Sequence, residues 1–286
     1  MEDRPALPYS AAMHFELIQS LGLCGDPAVA NDDRAGVRAR HAWVIDGATD
    51  LSPPGLLGAQ GGAAWLSATA DAAFSAIEGT DLRDTCHRVF ATVEAAYSRQ
   101  RQREPQGPWE LPRAAFAAVQ LVDGGLDLAW ASDCLILHAS GDTVSWRTPV
   151  PSRARESAQA AALGPGIGAV KLRNADVLAD RRASRSRPGQ RVLGVDAAAS
   201  AAAMATARFD IAVGDELLLM TDGFVALVDS YGVHDADSLF AAVRADGLAK
   251  LGVELRTIER DDAACLRFAR FKVSDDATAL WVRVGG

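Results

Sequence analysis

The apolar run Leu217-Leu218-Leu219-Met220 stops abruptly at Thr221-Asp222-Gly223. The same break recurs at Trp43-Val44-Ile45-Asp46-Gly47, and in reverse order at Ser274-Asp275-Asp276, where acids precede the β-rich stretch 277–284. Short apolar runs bounded by turn signals read as buried strands. Further strands are predicted at 14–20, 40–47, 206–213 and 215–221, with a β-meander over 113–148 punctuated at Asp123-Gly124-Gly125 and Gly141-Asp142. Helical spacing of apolar residues predicts helices over 58–79, 81–102, 235–247 and 254–269, with Asp81 as an N-cap. Sheet pieces, two helices, more sheet, two helices and a last strand describe a layered α+β domain without internal repeats.

The segment 149–191 departs from this alternation. Ten cations lie between 147 and 191 (Arg147, Arg153, Arg155, Lys171, Arg173, Arg181, Arg182, Arg185, Arg187 and Arg191), facing only Glu156, Asp176 and Asp180. Pro and Gly flank it, so it reads as a mobile, partly helical, basic insertion in a single domain spanning 1–286. A solvated arm without a role is the plain alternative. The whole chain is nevertheless acidic, with a formal net charge of −8, which excludes a general nucleic-acid binder. Cys24, Cys86, Cys134 and Cys265 form no CxxC pair, so neither a zinc site of ordinary spacing nor a disulfide scaffold is expected. The first residues carry no basic-then-apolar leader and no stretch is long and apolar enough to span a bilayer, so the expected location is the cytoplasm, without a membrane partner.

The candidate chemistry lies in the acids: Asn31-Asp32-Asp33-Arg34, Asp46-Gly47, Asp133, Asp222-Gly223 and Asp275-Asp276. Taken singly, each is an ordinary turn former or helix cap. Together, carboxylates gathered at strand ends raise one another's pKa values or require a counter-ion. The chain has only three lysines, Lys171, Lys250 and Lys272, and no run of them beside the acids. Divalent cations answer that need, and an all-oxygen donor set suits Mg²⁺ or Mn²⁺. Two such ions about 3.5–4 Å apart share a water and lower its pKa toward neutrality. That supplies a hydroxide nucleophile without a catalytic Ser, Cys or His, and the same charges would steady a phosphoryl group.

The ordered set "NDDR", "VIDGA", "ASDCLIL", "LLLMTDGF" and "SDDATAL" resembles the metal-dependent Ser/Thr protein phosphatases of type 2C, across roughly residues 15–284. The resemblance implies an α-β-β-α sandwich of two antiparallel sheets flanked by helices. It implies that Asp46 bridges two metals, that the Gly47 carbonyl holds a metal-bound water, that Asp222 and Asp275 complete one metal and Asp33 the other, with Asp32 in its water shell. Asp133 would belong to a weaker third ion, and Asp276 stands where many members carry Asn. The chain departs from the pattern in three places. Ala48 replaces the histidine proposed as general acid, Ala28 the arginine that binds substrate phosphate, and Ser132 and Cys134 flank Asp133 in place of Gly and Ser. One Arg among 173–191 is expected to take over the phosphate contact.

Other chemistries find no support. The Asp-x-Asp of haloacid-dehalogenase phosphatases fails at Ala48, no lysine completes a Walker loop, no Gly-x-Ser-x-Gly elbow occurs, and Gly164–Gly168 has no strand leading into it. The five histidines share no spacing and read as structural, with His41 set apart because it lies on the strand leading to Asp46. Most tryptophans fall in apolar runs and read as core. The expected protein is a monomeric, cytoplasmic, bacterial-type phosphoprotein phosphatase using two Mn²⁺ or Mg²⁺ ions. The rival is a phosphatase-like domain, catalytically weak, that serves as a regulatory binding or sensing module.

Overall fold

A computed structural model of the chain describes residues 13–169 and 175–286, so Lys171 and Arg173 of the basic segment, and the first twelve residues, lie outside the described residues. Two antiparallel sheets stack face to face. One contains β1 (His14–Leu23), β6 (Leu135–Ser140), β7 (Thr143–Trp146), β10 (Glu216–Met220) and β11 (Ala277–Gly285), in the order β1-β11-β10-β6-β7. The other contains β2 (Asp33–Val37), β3 (His41–Gly47), β4 (Arg113–Val122), β5 (Gly125–Ala131) and β9 (Ala205–Phe209), in the order β2-β3-β4-β5-β9, with the short β8 (Leu193–Gly194) pairing β4.

Helices close both outer faces. Helices α1 (Gly62–Ala76), α2 (Leu82–Gln100) and α5 (Ala197–Ala203) serve the second sheet, and α6 (Asp222–Asp229) and α7 (Ala236–Asp261) the first. This layering explains the unbroken apolar runs, because a strand covered on both faces has no polar side to show. On β3, Ala42 and Val44 face the opposite sheet while Trp43 and Ile45 face the helices. On β10, Leu217 and Leu219 point between the sheets and Leu218 and Met220 point toward α6 and α7. Trp43 stacks on Phe74 at 5.6 Å, and its indole N–H donates to Asp71 at 2.8 Å, which locks β3 to α1.

The elements match the expected pattern with local corrections. Asp81 caps α2 as predicted, its carboxylate accepting from the Asp84 N–H at 2.8 Å. Helix α1 begins at Gly62 rather than 58, where the Asp50 carboxylate receives the Gly62 N–H at 2.7 Å. Strand β2 was not predicted, since Asp-Arg-Ala-Gly-Val has no apolar alternation; its register comes from pairing with β3. Helix α6 was not predicted, the Asp222-Gly223 step reading equally as a turn former or a helix cap. Helix α7 bends at Gly247, as the two predicted helices imply, but ends at Asp261 rather than 269. There the Asp262 carboxylate takes the N–H groups of Leu266, Arg267 and Phe268 and steers the chain away. The basic segment contains α3 (Ala154–Ala162) and α4 (Ala175–Arg185). Ala160, Ile167, Val177 and Phe271 form a small core beneath them, so the described part of this segment packs against the body of the fold.

Candidate metal centre

The acids converge at one end of the sandwich because five separate elements or turns finish there. Asp33 opens β2 directly across from Asp46 at the end of β3, placing the two as a cross-strand pair. Gly47 follows, its N–H donating to the Asp32 carbonyl at 3.1 Å. A Cβ on Gly47 would stand 2.6 Å from that oxygen, so only glycine lets the two chain segments approach. From the other sheet, β10 delivers Thr221, whose hydroxyl donates to Asp33 Oδ2 at 2.8 Å and accepts the Thr278 N–H at 2.9 Å. That buried threonine ties both sheets together beneath the site. Asp222 then starts α6, Asp133 sits in the β5–β6 turn, and Asp275 lies just before β11. Asp276 points elsewhere: its two oxygens take the N–H groups of Gly25 at 2.7 Å and Asp32 at 2.6 Å, holding the acidic loop in place.

Crowding sets the electrostatics. Burial, then Asp222, Asp33, Asp275 and Asp133, lifts the Asp46 pKa well above the carboxylate range. Burial also raises Asp33 strongly, against the Thr221 hydrogen bond that works the other way. Asp32 is pushed up to about 7 by burial and by Asp276. Asp133, on the cavity wall, rises to about 6 through its enclosure and Asp222. At Asp222 burial is the largest influence and works upward, but the Arg153 charge, a hydrogen bond with Asp46 and the Lys272 charge together outweigh it and the net shift is downward.

Two cations of the chain itself stand among these acids, so the divalent ions expected there are not the only counter-charge available. Arg153 bonds Asp222 and lies 3.7 Å from Asp275, while Lys272 bonds Asp275 and donates to the Thr49 hydroxyl at 3.0 Å. Lys272 stands only three residues before Asp275, a spacing that a sequence reading could have used. Arg153 had no comparable signal; the path of the 149–191 segment brings it in. The placing of His41 is a correction. It sits at the far end of β3, opposite Gln120, about 16–17 Å from Asp46 along the strand.

The acids form the floor of a cavity of about 530 Å³, whose lining includes Asp46, Asp133, Asp222, Asp275, Arg181 and Arg185. Neither a protein-family model nor a curated protein sequence matches the chain. Solved structures do. The catalytic domain of the serine/threonine phosphatase PstP, in complex with two manganese ions, aligns with a TM-score of 0.56 at 15% identity, covering 96% of this chain and all of that one. Stp1, a serine/threonine phosphatase from Staphylococcus aureus, aligns at 0.55 and 13% over the whole of both chains. MsPP from Mycobacterium smegmatis, a PPM Ser-Thr phosphatase in complex with cacodylate, gives 0.52 at 18%, covering 94% of this chain and 99% of that one. The chain has the type 2C phosphatase fold.

Whether this end of the type 2C fold suits divalent cations is decided by its oxygens. Asp33 Oδ1 is buried and has no hydrogen-bond partner among the described residues, a costly arrangement unless a cation meets it. Asp46, beside it, is pushed toward its protonated form by burial first and then by its acidic neighbours Asp222, Asp33, Asp275 and Asp133. Among the described residues no three acidic, thiol or imidazole groups stand arranged to hold one ion as they are placed. Arg153 and Lys272 draw Asp222 and Asp275 toward their own nitrogens. The donor chemistry fits hard cations, and the two basic side chains are their competitors there.

Proposed function

We propose that the chain is a metal-dependent phosphatase that hydrolyses phosphoserine and phosphothreonine in proteins. One observation carries this reading: Asp46, Asp133, Asp222 and Asp275 arrive from separate elements at one open cavity, and Asp33 lies buried across from Asp46 on the neighbouring strand. Asp46, between Asp33 and Asp222, would be shared by two ions. Asp33 and the Gly47 carbonyl would serve one, Asp222 and Asp275 the other, Asp32 an outer shell, and Asp133 a weaker third. Mn²⁺ or Mg²⁺ suits these donors, and when bound supplies Lewis acidity toward water and phosphoryl oxygens.

The chain's own groups do the rest. Thr221 fixes Asp33, and Asp276 fixes the loop carrying Asp32, so the floor is preorganised before any ligand enters. Cations can compete only if Arg153 withdraws from Asp222. No histidine lines the cavity among the described residues, so proton transfer falls to Asp229, a cavity-lining carboxyl that burial raises to about 6. The cytoplasm of a bacterium and a monomeric enzyme complete the proposal.

The test is hydrolysis of p-nitrophenyl phosphate and a phosphothreonine peptide with Mn²⁺, with Mg²⁺ and with EDTA. Turnover that requires the metal supports the reading. Turnover indifferent to EDTA sinks it, and metal binding without turnover returns the regulatory-module alternative.

A further inference from the structure

The basic segment lines the cavity with Arg153, Arg155, Arg181 and Arg185; Arg155 is exposed, and two of the other three already have partners, as does the adjacent Arg182. Arg153 engages Asp222, Arg181 pairs with Glu156 at 3.0 Å and lies over the Phe271 ring, and Arg182 donates to the Leu51 carbonyl at 2.6 Å while covering Trp109. Arg185, at the end of α4, lines the same cavity yet makes no hydrogen bond or ion pair among the described residues. It is not a solvated surface arginine either. It is partly buried, with Arg181 and Arg113 as like-charged neighbours and Asp50 and Asp32 too remote to pair with it. An enclosed guanidinium with five unused donors, facing a cavity and crowded by other cations, is a poor structural element. It is a good receptor for a tetrahedral dianion, which its planar fork meets with two hydrogen bonds.

We infer that Arg185 is the residue that binds the substrate's phosphate, taking the place that Ala28 leaves without a cation. This rests on the phosphatase reading for its biological meaning, but the binding site is testable apart from it. Burial and the neighbouring arginines also pull the Arg185 pKa down to about 10, the direction expected of a cation that lacks its anion.

Inorganic phosphate, titrated calorimetrically into the protein with Mg²⁺ present, is the direct probe. Arg185→Ala should weaken phosphate binding at least tenfold and Arg185→Lys by less, since the ammonium keeps the charge and loses the fork. Arg187→Ala, an exposed change two residues on, should leave the affinity unaltered. The Kd for the divalent cation and the melting temperature of Arg185→Ala should both hold, because none of the described residues bonds that side chain. With a phosphothreonine peptide the loss should appear in KM more than in kcat. Unchanged phosphate affinity in Arg185→Ala, or no phosphate binding by the wild type, overturns the inference. If the wild type binds phosphate through Arg185 but hydrolyses nothing, the phosphatase reading fails and the anion site stands.

Discussion

Asp46 stands between Asp33 and Asp222 and lines the cavity. Asp46→Asn keeps its size and removes its charge. Turnover should fall by orders of magnitude and cation affinity with it; near-wild-type activity would take Asp46 out of the reaction. Arg153 is the converse case. Arg153→Met strips Asp222 and Asp275 of their guanidinium partner, leaving buried charge uncompensated. The variant should melt lower in EDTA yet gain more from Mn²⁺ than the wild type, and an equal gain in both would show that Arg153 does not compete with metal. Asp276 looked exchangeable for Asn on the resemblance alone. The structure argues otherwise, because both its oxygens accept backbone N–H groups and an amide offers one oxygen. Asp276→Asn should cost about 1–3 kcal/mol in denaturant unfolding, the desolvation penalty of one unmet donor.

Secondary elements fix the site through close backbone approaches. At the start of α6, a Cβ on Gly223 would come within 1.9 Å of the Asp276 carbonyl, so α6 and the loop before β11 can pack only over glycine. Gly223→Ala should therefore destabilise by about 1–3 kcal/mol and weaken metal binding as Asp222 is pushed aside. Normal stability with normal metal affinity would show that the contact is slack. The acids at Asp46 and Asp222 were legible because each ends an apolar run whose two faces are both buried, leaving the polar residue conspicuous. Strand β2 was hidden, since an edge strand of charged and small residues borrows its register from β3. Helix α6 was hidden because Thr-Asp-Gly serves equally as a turn and as a helix start. The places of Arg153 and Arg185 depend on the tertiary path of 149–191, which no local pattern encodes.

For the whole molecule, the raised acids couple metal binding to pH. A carboxyl whose folded pKa lies above its unfolded value keeps a proton that the unfolded chain has lost, so its contribution to stability fades as pH rises through the folded pKa. With the ordinary carboxyl value at 3.8, Asp32 at about 7 and Asp133 at about 6 make that loss run from about pH 4 to about pH 7. His41 and His138, whose pKa values burial lowers, work in the opposite sense over the same range. The difference between Mn²⁺ and EDTA melting temperatures removes the histidines from the comparison. It should widen from pH 5.5 to 7.5, since protons must leave before cations bind. A gap that narrows over this range would place the metal on other groups. The central claim, that this acid cluster is a site for two divalent cations, is tested most directly by calorimetric titration of Mn²⁺ into the wild type and an Asp46→Asn/Asp222→Asn variant. The account predicts about two ions per wild-type chain, the stoichiometry of a two-metal site, and loss of both in the variant. The same stoichiometry and affinity in both proteins would contradict it.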